Sequence, residues 1–149
     1  MTPIIRSVLT VLGAFFVVAV LVGLTTVLAT ELMLGSTGPG AEPTTPFLVV
    51  NLASSVLYAI IGGYVAATVS DHSPLGHAAA LSVFMMLLGL ATWVIDGGQP
   101  APGHPVWYPW VITLLVPPTT VFGGILVTRR ARARTHFSRR ARESERTGS

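Results

Sequence analysis

The chain has 149 residues, 51% of them hydrophobic and 10% charged, with a mean hydropathy of +0.69. A water-soluble domain carries about a quarter of its residues as Asp, Glu, Lys or Arg, so that class is excluded. The formal charge of +3 is unevenly spread: residues 129–149 hold eight of the nine basic and two of the six acidic residues, leaving +6 there and −3 elsewhere. The absence of cysteine removes disulfides, thiolate metal sites and thiol nucleophiles from consideration.

Between Arg6 and Glu31 run twenty-four uncharged residues. At 1.5 Å per residue that is about 36 Å of helix, enough to cross a hydrocarbon core of ~30 Å, and it predicts a first span over 7–30. A secretory signal would have a shorter apolar core, ending at small residues suited to cleavage. Gly35, Gly38, Pro39, Gly40, Pro43 and Pro46 then forbid a helix and make a loop.

A second uncharged stretch predicts a span over 47–70, and a short turn through Asp71, His72 and Pro74 joins it to a third over 77–95. Asp96-Gly97-Gly98 and three further prolines close that span. The fourth runs over 107–128 and stops at Arg129-Arg130. The expected fold is therefore all-α: an integral membrane bundle of four transmembrane helices over 1–128, with a basic tail over 129–149.

Basic residues beside a span stay cytoplasmic far more often than they are translocated. Arg6 and the arginine tail then share one side, which requires an even number of spans. Both termini are expected in the cytoplasm and the chain in the cytoplasmic membrane, with the two arginine-free Gly/Pro loops outside. Trp93, Trp107, Trp110 and Tyr108 gather at the outer ends of the third and fourth spans, as an interfacial aromatic belt would.

In the second span Asn51, Ser55, Ala59, Gly63 and Ala67 recur at every fourth position. Small side chains in one line let another backbone approach closely, which is how helices associate in lipid, where no hydrophobic force separates them from the acyl chains. Thr120, Gly124 and Thr128 make a similar strip on the fourth span. These faces suit association with a second copy or another membrane protein.

Pro117 and Pro118 fall near the middle of the fourth span, and each removes an amide donor, from the carbonyls of Thr113 and Leu114 respectively. A kink or break is expected there, with Thr113 and Thr120 near enough to help satisfy the backbone. Broken helices at mid-membrane also build solute sites in transporters, so Thr113, Pro117, Pro118 and Thr120 form the rival functional reading.

No ionisable residue lies at the centre of a span, which argues against ion or proton pumping. An outer group (Glu31, Asp96, His104, with Asn51 a turn inside) and an inner group (Asp71, His72, His77) read as interfacial caps, since no metal-ligand spacing occurs. No catalytic, cofactor or metal site is expected. Arg129, Arg130, Arg132 and Arg134 begin a segment with Phe137 as its one large apolar residue. That composition predicts a disordered tail hugging anionic lipid headgroups, and nothing in it suggests nucleic-acid binding.

The stretch Gly62-Gly63-Tyr64-Val65-Ala66-Ala67, a short loop, then His77 opening the next helix, resembles a group of small, mostly uncharacterised four-pass bacterial membrane proteins. Those proteins tend to carry a basic loop where this chain has Asp71 and His72. The resemblance implies the fold and no activity. Gly62-Gly63 and Gly123-Gly124 also occupy comparable places in the second and fourth spans, as duplicated hairpins would leave them.

Overall fold

The computed structural model describes residues 3–35, 42–70 and 73–147, with side chains described over 5–35, 42–70 and 73–131. Four helices account for nearly all of it: α1 (Pro3–Leu34), α2 (Thr45–Val69), α3 (Pro74–Ile95) and α4 (Trp107–Thr147). Each is long and apolar enough to cross a membrane. The chain is a multi-pass, all-α membrane protein built as a four-helix bundle.

Proline and glycine set the helix ends. Pro46 and Pro74 sit in the first turns of α2 and α3, where a missing N–H costs nothing. This is why α3 starts three residues earlier than hydropathy alone places it. At its other end the Gly97 amide donates to the Val94 carbonyl (3.1 Å) and the Gly98 amide to that of Trp93 (2.9 Å), with both glycines at positive φ. That pairing is a Schellman cap, which uses up carbonyls the helix would otherwise leave bare at its end.

Consecutive helices run antiparallel, so α2 and α4 are parallel to each other, as are α1 and α3. Helix α2 touches all three others, whereas α1 and α4 stand at opposite corners without contact among the described residues. Gly62 and Gly63 explain how α2 fills this central place. A Cβ on Gly62 would collide with Val18 of α1 and touch Leu81 of α3 at 3.4 Å; one on Gly63 would fall on the backbone carbonyl of Thr120 in α4. Two adjacent glycines thus serve contacts with three different helices.

The α2–α4 crossing is reciprocal. A Cβ on Gly123 would strike the Ile60 carbonyl and come within 2.9 Å of the Tyr64 amide nitrogen, and one on Gly124 would come within 2.5 Å of Ala78. The matching positions of the two Gly-Gly pairs thus coincide with their meeting at one crossing. Around it Ala59, Ala66, Ala78, Leu81 and Thr120 are fully buried, so the middle of the bundle is closed.

Two features of α4 bear on its prolines and its end. Of the kink or break expected at Pro117-Pro118, a break does not occur: α4 is one continuous helix through both prolines. Proline's fixed φ suits a helix, and nearby hydroxyls attend the backbone: Thr119 donates to the Leu115 carbonyl (2.8 Å), Thr120 to that of Val116 (2.8 Å), and Ser82 of α3 to that of Pro117 (3.2 Å). Where a disordered tail is expected from residue 129, the α4 backbone stays helical to Thr147. A helix already nucleated by its span needs only propagation, and Ala, Arg and Glu propagate well.

Candidate functional site

The loop between α3 and α4 closes the bundle at the end away from the tail. Trp93 packs against Trp110 there, with ring centroids 5.0 Å apart and planes inclined at 56°, and lower in the seam Gly89 faces Thr113, whose hydroxyl a Cβ on the glycine would approach to 3.4 Å. Above this seam a cavity of about 260 Å³ opens between the helices and the loop. Thr113 and Gly89 line it at one end and Asp96, Gln99 and His104 at the other, with Trp93 and Tyr108 as aromatic walls.

Loop geometry fixes these polar groups. Asp96 is the C-cap of α3, carried just before the two left-handed glycines that reverse the chain. The His104 amide donates to the Ala101 carbonyl (2.9 Å), and the His104 ring packs on Tyr108 with centroids 5.3 Å apart. Gly103, also at positive φ, lies so close to Pro43 that a Cβ would come within 2.7 Å of it. The α3–α4 loop is thereby wedged against the segment leading into α2.

Tyr108 is the odd member of this wall. It is 6% exposed and clustered with Ala29, Phe47 and Leu48 at the same end of the bundle, yet its buried hydroxyl has no hydrogen-bond partner. Buried hydroxyls nearly always have one, so this atom is the most conspicuous unmet polar group among the described side chains.

A second cavity, about 520 Å³, is a groove between α1 and α3 at the tail end, walled by Val8, Val11, Leu12, Ala80 and Phe84. Its polar margin is Ser7, Ser73 and His77. The His77 Nδ1 lies 3.0 Å from the Ser70 hydroxyl and 3.1 Å from the Ser73 carbonyl, which ties the start of α3 to the end of α2.

The residues singled out from the sequence divide among these places. Ser55, Ala59, Gly63 and Ala67 are buried within the bundle, and the Asn51 carbonyl accepts from the Ser55 hydroxyl (2.7 Å). The strip packs helix on helix inside one chain. Of the proline-centred group, Thr113 lines the loop-end cavity while Pro117, Pro118 and Thr120 do not. The outer group separates too: Asp96 and His104 line the cavity, and Glu31 and Asn51 stand apart from it.

At the tail end the Arg130 guanidinium lies 5.7 Å over the Tyr64 ring and donates to the Tyr64 hydroxyl (3.2 Å). Arg129 is exposed beside it. The side chains of Arg132 and Arg134, with residues Asp71 and His72, lie outside the described residues. Sequence reading missed Thr92, Gln99 and Tyr108 as wall residues; only the Gly97-Gly98 reversal signalled that the loop folds back over α3.

Compared with protein-family models, curated proteins and solved structures, the chain matches none.

Proposed function

We propose that this chain is a structural or accessory protein of the cytoplasmic membrane, with both termini inside, that works by presenting its surface to another membrane protein or a second copy of itself. The closed middle of the bundle carries this reading. Ala59, Ala66, Ala78, Leu81 and Thr120 leave no space at the helix crossing for a solute to pass. The hydroxyls of Thr10, Thr30, Ser54, Thr68, Thr119 and Thr128 bond back to backbone carbonyls of their own helices.

The surface for association is then one that the chain leaves uncovered. Gly13 and Gly23 of α1 have nothing within 4 Å of where a Cβ would be, unlike Gly62, Gly63, Gly123 and Gly124. Ala19 and Gly23 are exposed one turn apart, the small-x-x-x-small spacing that lets a foreign helix come close. The arginine tail, on this reading, holds orientation and meets anionic headgroups.

A photo-reactive residue placed at position 23 in cells tests this. The reading expects a covalent adduct with a protein of defined size, lost when Ala19 is changed to Leu. Adducts with lipid alone would overturn it.

A further inference from the structure

We infer that the loop-end cavity between α3 and α4 is a binding site for a small organic ammonium compound. Its one charged side chain is a carboxylate, Asp96, and its walls include the indole of Trp93 and the rings of His104 and Tyr108. An alkylated ammonium is attracted both to a carboxylate and to the faces of aromatic rings, most of all indole, and this pairing is the usual way proteins hold such groups. A metal ion is less suited, because no cluster of three metal-ligating side chains occurs among the described residues.

The site is built. The Schellman cap fixes Asp96 and the Gly97-Gly98 turn, and that turn packs on Trp93, since a Cβ on Gly98 would sit 3.3 Å from the indole. Trp110 backs the same indole from α4. A volume of about 260 Å³ admits a compound of choline's size. The Tyr108 ring adds to the wall of this cavity, while its own hydroxyl is buried away from the cavity's accessible space.

The ammonium group can come from a free solute or from the headgroup of a lipid at the same interface, and the chemistry at the cavity is the same. The test titrates choline into the purified chain in maltoside micelles and follows tryptophan fluorescence, beside choline's uncharged isostere, in which a quaternary carbon replaces the nitrogen. Saturable binding of choline is expected, at least tenfold weaker for the isostere and for Asp96→Asn, and unchanged for Glu31→Gln on α1. Adding phosphatidylethanolamine distinguishes the sources: a rise in the choline midpoint assigns the cavity to the headgroup, and no rise assigns it to the free solute. Equal binding of choline and isostere, equal binding by Asp96→Asn, or no saturable choline signal would each overturn the inference. The circular dichroism of Asp96→Asn, expected to match the parent, keeps a folding defect from being read as lost binding.

Discussion

Gly63 of α2 and Thr120 of α4 meet backbone to backbone: a single methyl added at Gly63 would occupy the space of the Thr120 carbonyl. Two rigid main chains cannot yield as a side chain can, so the contact sets the α2–α4 crossing. Gly63→Ala and Gly123→Ala are each expected to destabilise the bundle by roughly 1–3 kcal/mol, the usual result of overpacking a filled core. Gly13→Ala and Gly23→Ala meet open space and are expected to leave stability unchanged or slightly raised through better helix propensity. Thermal or denaturant unfolding in detergent separates the two pairs.

Across the α3–α4 seam the Ser82 hydroxyl donates a hydrogen bond to the Pro117 carbonyl. Removing it with Ser82→Ala is expected to cost about 0.6 kcal/mol, the mean for such bonds between membrane helices. Pro117→Ala should retain the helix and restore an amide to the Thr113 carbonyl, giving equal or greater stability. A loss of several kcal/mol in that variant would show that the proline shape is itself required.

Arg130 and Tyr64 join the tail end of α4 to α2 through a guanidinium over a ring. Arg130 is exposed, so the pair is expected to contribute at most about 1 kcal/mol. A double-mutant cycle of Arg130→Ala and Tyr64→Phe should find a coupling within that range. Tyr64→Phe keeps the ring and loses only the hydroxyl, so it should retain part of the interaction.

A chain without cysteine is ready for topology mapping. Gln99→Cys is expected to react with a membrane-impermeant maleimide added outside cells, and Ser138→Cys only after the membrane is opened. The reverse pattern would invert the orientation argued from the arginines.

Much of this fold was legible before any coordinates. Four uncharged stretches bounded by charges and breakers gave four helices, because span length and helix periodicity are local properties. Gly63 was legible as a close-approach point, but its partner was not: which helix meets it depends on side-chain shapes distributed over α2, α3 and α4. At Pro117-Pro118 the sequence identifies the two carbonyls that lose amide donors, Thr113 and Leu114, but not that α4 runs on as one helix through both prolines. Asp96 and His104 were noticed as interfacial residues, yet their placement with Thr113 and Tyr108 around one cavity arises from the Gly97-Gly98 reversal and the packing of α3 on α4. Neither follows from spacing.

The central claim is that the small-residue faces of α2 and α4 are used inside one chain. Unfolding of Gly63→Leu, compared with the parent over a wide range of protein-to-detergent ratios, tests it most directly. The account predicts a large loss of stability that is the same at every ratio, including those at which the parent is monomeric. A variant whose monomer is as stable as the parent's, and which loses only an oligomer at high protein-to-detergent ratio, would contradict it.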